Sequence, residues 1–405
     1  MKKICLEHLE PGMILAQNVR GLDGSTVIDS GTQADADVIS LLDTLGMGFV
    51  YIEPASAEAD RKIRLRQIET YVRKFFMYVD PDAPVFKELF RILLERTWDA
   101  LNKGWEMPCE SDLAAESVEH MRDLFFKGRA SYEDIVKHET SLSSFPDIYF
   151  RIKKVLDSPT SSAADIAKVV SMDPSMSSKL LRLVNSPIFG FAAKVDSIPH
   201  AVSLAGTKEI STLALGISAI NFFKDIPAEL IDMKIFWRHS ISCAMFSKLV
   251  AAKLGLPSDR FFTAGLLHDT GRLIMYKNMP YASVQSLLFA RSNMVPLVEA
   301  EQKILGFDHV QVAGNLLEKW EFPEDLRQLI ISHHDPFQTK MPREAAVVQL
   351  ADNMANAVAI SESGMYVLPG MSPGAWDELG LEADSIQELV EIYDESIQDI
   401  TSAFM

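Results

Sequence analysis

Residues 261–273 have the sequence FFTAGLLHDTGRL, an apolar run of predicted helix that contains the polar doublet His268–Asp269 and is closed by Gly271. Leucines flank the doublet on both sides, and burying a charge without a partner costs several kcal/mol. Neighbouring residues on a helix lie about 100° apart, so both side chains can reach one ion. An imidazole and a carboxylate together suit zinc, iron or manganese. A hydrogen-bonded pair that fixes helix packing is the alternative, and the doublet alone leaves both interpretations open.

Other His and Asp residues also fall on apolar faces of predicted helices. These residues, with the apolar neighbours in their helical register, are His239 (Ile235, Cys243, Phe246), His309 (Val312, Leu316, Trp320), His333–His334 (Leu326, Leu329, Ile330) and Asp352 (Ala345, Val348, Ala355, Ala359). Five His and two Asp are therefore predicted to face inward from five helices. A single inward His is usually a hydrogen-bonded core residue, but this set includes two carboxylates and predicts a metal-competent site.

The same residues carry a resemblance to a known superfamily. Their order along the chain resembles the ligand series of the HD superfamily of metal-dependent phosphohydrolases. The surrounding sequence, over residues 131–405, is similar to one branch, the HDOD (HD-related output) domain. The similar stretches are SSFPDIYFRIKKVL (143–156), MDPSMSSKLLRLVNSPIFG (172–190), FTAGLLHDTGRLIM (262–275), LGFDHVQVAGNLLEKW (305–320) and IISHHDP (330–336). The opening stretch LEHLEPGMILAQNV resembles the small domain that often precedes HD-GYP cyclic-dinucleotide phosphodiesterases.

The resemblance implies an HD-type helical bundle that acts as a non-catalytic signal-transduction output module through contacts with other signalling proteins. It also implies a ligand set for one or two divalent ions of Fe, Mn, Zn or Ni. That set is His239, His268, Asp269 and Asp352 for one ion, and His309, His333 and His334, with Asp269 shared, for a second. Two features depart from the HD-GYP enzymes: Arg272 stands where they have a Lys, and HHDPFQ (333–338) contains no Gly-Tyr-Pro loop.

An enzyme is the alternative that the resemblance implies: a metal-dependent phosphohydrolase or phosphodiesterase acting on a nucleotide or cyclic dinucleotide. In that case Asp269 and Arg272 are the expected catalytic residues. Bound metal would lower the pKa of a water that attacks phosphorus. The planar guanidinium of Arg272 would stabilise the phosphate oxygens, although it cannot give up a proton as a Lys can.

The charge of the chain argues against nucleic acid and membrane partners. The chain has 39 basic and 56 acidic residues and a net charge of −17, so phosphates of nucleic acid or anionic lipid are repelled. Two short predicted helices in residues 161–184 also fit a DNA-binding helix-turn-helix. However, Lys179 and Arg182 are the only basic residues of the second helix. We expect no nucleic acid partner.

The N-terminus and the apolar runs predict a soluble, cytoplasmic protein. MKKICLEHLEPGM has no apolar segment of the kind found in signal peptides. The longest apolar run, LALGISAINFF (213–223), is shorter than the roughly 20 residues of a membrane-spanning helix. The three cysteines, at positions 5, 109 and 243, have no metal-site spacing and are expected to be reduced thiols.

The hydrophobic pattern divides the chain into three predicted regions. Residues 1–54 form a small α+β domain, with strands in MILAQNV (13–19), STVIDSG (25–31) and FVYIE (49–53) and a helix over 35–46. Residues 55–130 form a helical connecting region, with runs over 61–79, 84–104 and 111–127. Residues 131–405 form the HDOD-like helical domain, which ends in an amphipathic helix over 385–404. The predicted fold class is mainly α.

Overall fold

The computed structural model describes residues 1–21, 24–53, 57–105, 107, 123, 131–142, 147–156, 158, 160, 162–223, 226, 230–257, 260–358 and 366–404. Over these residues the chain is mainly helical, and its strands lie in the first 52 residues. This confirms the predicted fold class. The chain divides into two compact units, Met1–Lys74 with Leu94–His120 and Phe75–Leu93 with Met121–Met405.

The first part of the chain contains short strands and three helices. They are β1 Lys2–Cys5, β2 Val19–Arg20, β3 Thr26–Ile28, α1 Ala36–Thr44, β4 Phe49–Ile52, α2 Ala57–Phe75 and α3 Pro84–Asn102. The remaining helices are α4 Tyr132–Leu142, α5 Asp147–Leu156, α6 Ala163–Ser171, α7 Pro174–Val184, α8 Ile198–Ala205, α9 Thr207–Phe222, α10 Met233–Lys253, α11 Phe261–Leu267, α12 Thr270–Asn278, α13 Pro280–Asn293, α14 Leu297–Leu305, α15 His309–Lys319, α16 Glu324–Ile331, α17 Pro342–Val358, α18 Ala375–Leu379 and α19 Ser385–Phe404. Short 3-10 turns lie at Leu6–His8, Pro187–Phe189 and Pro336–Gln338.

The small N-terminal unit has two pairs of antiparallel strands. β2 pairs with β3 and forms the predicted hairpin, although both strands are shorter than predicted. β1, which the sequence did not indicate, pairs with β4 from Lys2↔Ile52 to Cys5↔Phe49. Between the strands, α1 begins at the N-cap Asp35, which accepts a hydrogen bond from Val38 N at 2.8 Å.

The predicted division at residues 54/55 and 130/131 stays a prediction, and residues 54, 55 and 130 lie outside the described residues. The predicted helical run over 111–127 also lies outside them, except for Asp123. The two preceding runs are confirmed as α2 and α3, and the closing helix is confirmed as α19.

The expectation that all three cysteines are reduced is wrong for Cys5. Cys5 is disulfide-bonded, whereas Cys243 is a free and buried thiol. Sequence spacing alone cannot show which cysteines the fold brings together, which is why the expectation was wrong for Cys5.

Two buried helices, α10 and α17, form the centre of the large unit. α10 is buried at every residue from His239 to Ala251, and α17 from Ala345 to Val358. A helix that is buried on all sides needs neighbours on all sides, and α10 packs against α11, α17 and α19. The polar side chains of these two helices must therefore find partners inside the protein.

The segment 261–273 is two helices and not the single helix predicted. α11 ends at Leu267 and α12 begins at Thr270, so His268 and Asp269 lie at the break between them. Asp269, with φ −97° and ψ 6°, is outside the regular helical range. The break changes the direction of the chain at the doublet, which local apolar periodicity does not reveal.

Gly271 lies inside α12 and does not close the helix as predicted. A Cβ at this position would overlap the carbonyl oxygen of His309 and lie 2.9 Å from Ala313 N. α12 therefore rests directly on the first turn of α15, and only a residue without a side chain fits there. This close approach places the doublet beside His309.

The helix-turn-helix alternative concerns α6 and α7, each of which begins at a capping side chain. Ser162 caps α6, and Asp173 with Pro174 begins α7. The two basic side chains of α7 bond to the end of α19: Lys179 Nζ donates to Phe404 O at 3.2 Å, and Arg182 Nη1 to Ser402 O at 3.4 Å. Both basic groups are thus engaged within the protein.

No helix among the described residues has both the length and the apolar character that crossing a bilayer requires.

The N-cap of α15 supports the position of His309 and gives a first test. Asp308 is the N-cap, and its Oδ1 accepts a hydrogen bond from Gln311 N at 2.9 Å. Asp308→Ala should lower the free energy of unfolding by about 1 kcal/mol, because the amide loses its partner. Glu318→Ala, at the exposed far end of α15, is the control and should change it by less than about 0.5 kcal/mol. Equal denaturation midpoints for the two variants would contradict this role of Asp308.

Candidate metal centre

The seven predicted metal ligands converge on one place in the large unit. His239 comes from α10, His268 and Asp269 from the break between α11 and α12, His309 from the start of α15, His333 and His334 from the residues after α16, and Asp352 from α17. All but His334 are at most 5% exposed. The sequence prediction that these residues share one site is therefore consistent with their positions, while their role as ligands stays a prediction.

One half of the cluster is arranged around Asp352. The Oδ1 atom of Asp352 lies 3.2 Å from His239 Nε2 and 3.5 Å from His268 Nε2. His268 Nε2 is also 3.6 Å from Asp269 Oδ2. Donor atoms of His239, His268 and Asp269 all lie within 4.8 Å of one another. This is a spacing that one ion can bridge.

The other half contains three imidazoles and is joined to the first by Asp269. His309 Nε2 lies 3.4 Å from Asp269 Oδ1 and 3.1 Å from His334 Nε2. The rings of His333 and His334 are 3.9 Å apart between centroids. Donor atoms of His309, His333 and His334 also lie within 4.8 Å of one another. Asp269 thus touches both halves, as expected of a shared ligand.

Hydrogen bonds to the backbone orient two of the imidazoles. His268 Nδ1 donates to Gly265 O at 2.7 Å, and His333 Nδ1 donates to Ile330 O at 2.6 Å. Since a carbonyl only accepts, Nδ1 carries a hydrogen and the neutral ring keeps its lone pair on Nε2. Both Nε2 atoms are buried without a hydrogen-bond partner. Buried, unpartnered nitrogens aimed into a cluster fit a metal ion, because this is how ligating imidazoles are held.

Asp269 and Asp352 are held as carboxylates. Burial alone would raise the pKa of Asp269, but the Arg272 guanidinium and His268 outweigh it and hold that pKa well below its usual range. Burial would likewise raise the pKa of Asp352, but the nearby imidazoles of His239 and His268, whose Nε2 atoms lie 3.2 and 3.5 Å from its Oδ1, hold it well below its usual range. Two anionic oxygens therefore face the imidazoles.

The imidazoles respond to these charges in two ways. Burial lowers the pKa of His333 to about 4, and it also lowers the pKa of His334. The pKa values of His268 and His309 are raised, although burial would lower both. The nearby Cys243 and Asp269 raise the pKa of His268, and Glu301 raises the pKa of His309. The cluster thus stabilises positive charge at its centre, which a divalent ion supplies in place of protons.

The predicted catalytic residue Arg272 lies in the same cluster but bonds to protein groups. Its Nη1 donates to Asp269 Oδ2 at 2.7 Å, and its Nε and Nη2 donate to the Tyr276 hydroxyl at 3.2 and 3.0 Å. Its side chain is 2% exposed. The geometry makes Arg272 a partner that orients Asp269, and its predicted contact with phosphate stays a prediction.

Sequence reasoning missed Glu301, which orients His309. Glu301 Oε2 accepts hydrogen bonds from His309 Nδ1 at 2.5 Å and from His309 N at 3.0 Å, and the residue is 1% exposed. A signal was present in the sequence, because Glu301 shares a face of α14 with Leu297 and Leu305, one turn away on each side. A carboxylate on an apolar face needs a buried partner.

Glu301→Gln should weaken divalent metal binding by about 10- to 100-fold, because the amide no longer holds the His309 ring as an anionic acceptor does. Glu299→Gln on the exposed side of the same helix is the matched control, and its affinity should equal that of the wild type. Competition titrations with a chromophoric chelator measure both constants. Equal affinities of the two variants would show that Glu301 does not support the centre.

The cavity at the centre of the cluster is small. It has a volume of about 10 Å³, and α14 contributes Leu297 and Val298 to its wall. A cavity of this size holds about one water molecule or one ion. This closure cannot be predicted from the sequence, because the apolar face of α14 has the pattern of an ordinary core contact.

Comparison with known proteins agrees with the fold. Residues 142–336 match the family model of the HDOD domain. The chain is similar to the solved structure of an HDOD domain protein with unknown function from Geobacter sulfurreducens, with a TM-score of 0.51, 22% identity and coverage of 67% of this chain and 97% of that one. It is also similar to a candidate signal transduction protein from Marinobacter aquaeolei VT8, with a TM-score of 0.52, 21% identity and coverage of 82% and 68%. At these identities the likeness shows the fold alone.

Two curated relatives match parts of the chain. An uncharacterized protein of Treponema pallidum (strain Nichols) is 22% identical over 197 residues, which are 48% of this chain and 38% of that protein. Ribonuclease Y of Chlorobaculum tepidum is 31% identical over 124 residues, which are 26% of this chain and 24% of the ribonuclease. The chain therefore spans well under half the length of these relatives.

Proposed function

Because residues 142–336 match the family model of the HDOD domain, we propose that this chain is a signal-transduction output module with a closed divalent metal centre and no turnover of its own. The proposed work of the module is contact with other signalling proteins. The metal would be Fe, Mn, Zn or Ni, and one or two ions would be held.

The observation that carries this proposal is the closure of the cluster. A cavity of about 10 Å³ admits an ion or a water molecule, whereas clefts that take small-molecule substrates have volumes of about 300–1,000 Å³. Leu297 and Val298 of α14 line this cavity, which is too small for a phosphate group. The Arg272 side chain, the expected phosphate partner, is bonded to Asp269 and Tyr276.

The donor set supports the metal part of the proposal. His239, His268, Asp269 and Asp352 would hold one ion, and His309, His333 and His334 would hold a second with Asp269 between the two. These side chains lie on or beside α10, α11, α12, α15, α16 and α17, so a bound ion would fix these helices relative to one another. Occupancy of the centre would thereby stabilise one arrangement of the surface that α14 and its neighbours present to a partner.

Metal-dependent hydrolysis of a phosphodiester is the second candidate, and the completeness of the ligand set favours it. Asp269 lies between the two halves, where a bridging carboxylate is needed in two-metal sites. When bound, divalent ions in such a site lower the pKa of a water toward neutrality. This candidate requires that α14 move away from the cluster to admit a nucleotide.

Metal analysis and a turnover assay together test the proposal. Full-length protein purified without chelator should contain about one or two ions per chain if the donors act together. Hydrolysis of bis(p-nitrophenyl) phosphate should be at background in the wild type and equal in Asp269→Ala. Folded protein that contains no metal would contradict the metal centre. Turnover in the wild type that is lost in Asp269→Ala would contradict the non-catalytic module and support the enzyme.

Binding of a nucleotide, which the enzyme alternative requires, has a separate test. Equilibrium dialysis with a radiolabelled cyclic dinucleotide should show no binding to metal-loaded protein, because the closed cavity excludes it. Saturable binding that competes with inorganic phosphate would contradict the closure on which the proposal rests.

A further inference from the structure

Cys243 lies beside the metal cluster and has no part in the ligand set described so far. It is one helical turn after His239 on α10, so the two side chains lie on the same face of that helix. The residue is fully buried and is a free thiol. Donor atoms of Cys243, His268 and Asp352 all lie within 4.8 Å of one another.

Close packing of two helices brings Cys243 and His268 together. A Cβ at Gly265 of α11 would lie 2.6 Å from Cys243 O and 2.7 Å from Ala244 N. Both are backbone atoms of α10, so α11 can approach this closely only because Gly265 has no side chain. His268 follows α11 directly, and the approach of the helices therefore sets its ring against the thiol.

His268 supplies an independent indication that a ligand belongs here. Its Nδ1 hydrogen is bound to Gly265 O at 2.7 Å. Its Nε2 is buried and has no hydrogen-bond partner. An unpaired nitrogen in the protein interior costs free energy unless something binds it, and the atoms that surround it include a thiol and a carboxylate.

We propose that Cys243, His268 and Asp352 form a thiolate-containing metal position, which gives the centre a preference for zinc, cobalt or ferrous iron over magnesium and manganese. The inference rests on the proposed metal centre. Thiolate is a soft ligand and selects such ions, whereas carboxylate and water alone suit the harder ones. On binding, the thiol proton is released to solvent and the sulfur donates its electron pair to the ion.

Cobalt spectroscopy of the full chain tests the proposal without an activity measurement. Metal-depleted protein is titrated with Co²⁺, whose visible d–d bands report binding of the ion and whose near-ultraviolet sulfur-to-cobalt charge-transfer band reports a thiolate ligand. The wild type should show both. Cys243→Ser should lose the charge-transfer band and keep the d–d bands. Ser240→Ala is the matched control, because this buried hydroxyl on the same helix has no hydrogen-bond partner, and it should keep both bands.

A second variant covers the case in which Cys243→Ser does not fold. Cys5→Ser/Cys109→Ser leaves Cys243 as the only cysteine, and its charge-transfer band should equal that of the wild type. In the wild type, d–d bands without a charge-transfer band would overturn the role of Cys243 and leave the metal centre intact. Absence of both bands in folded protein would overturn the metal centre itself, and Cys243 with it.

Discussion

Gly271→Ala is expected to lower the free energy of unfolding by more than about 4 kcal/mol, or to prevent folding altogether. The added methyl group would overlap the carbonyl oxygen of His309 and lie 2.9 Å from Ala313 N. Backbone atoms cannot rotate away, so α12 and α15 would have to separate. Their separation would also pull His309 from Asp269, which now lie 3.4 Å apart.

Gly314→Ala is the control for this prediction, since it adds the same methyl group to α15. There the new Cβ would meet only the Ile331 Cγ2 atom, at 3.0 Å. That contact can relax through a side-chain movement, and alanine gains about 1 kcal/mol of helix propensity over glycine. Chemical denaturation measures the free energy of unfolding of both variants. Wild-type stability for Gly271→Ala would show that α12 does not rest on α15 in this way.

Asp269→Asn is expected to weaken divalent metal binding by at least about 100-fold. Mutation of a residue that only hydrogen-bonds to a metal ligand typically lowers metal affinity by 10- to 100-fold. Asp269 itself touches both halves of the cluster, so we expect its loss to cost more. Asparagine keeps the size of the side chain but removes the negative charge that the centre uses to stabilise a cation. Isothermal titration with Mn²⁺ and Zn²⁺ gives the affinities.

Asp325→Asn is the matched control. Asp325 Oδ2 forms an ion pair with Arg260 Nη1 at a distance of 2.7 Å, and neither residue belongs to the cluster. Its metal affinity should equal that of the wild type. If Asp269→Asn and Asp325→Asn bind metal equally well, Asp269 is not a ligand. Thermal unfolding of both variants in the presence of chelator separates loss of metal binding from loss of the Arg272–Asp269 ion pair.

The inward direction of the seven polar side chains was predictable because helical periodicity is a local property. His239 and Asp352 follow the register of the apolar residues around them, and both are buried in α10 and α17. The caps at Ser162, Asp173 and Asp308 were predictable for the same reason, since a cap bonds to amides two or three residues away.

The arrangement of the site depends on contacts between helices that no local pattern contains. The break at His268–Asp269 and the role of Gly271 follow from the packing of α12 on α15. The spacing of the cysteines along the chain does not indicate that Cys243 lies beside His268, because this proximity follows from the packing of α11 on α10. The short strand β1 was missed because its partner β4 lies more than forty residues away.

Anomalous scattering from crystals of protein purified without chelator tests the central claim most directly. We expect a peak about 2.0–2.3 Å from the donor atoms of His268 and Asp352, with a second near His309 and His334 if two ions bind. A folded chain with the same convergent side chains and no anomalous peak among them would contradict the metal centre.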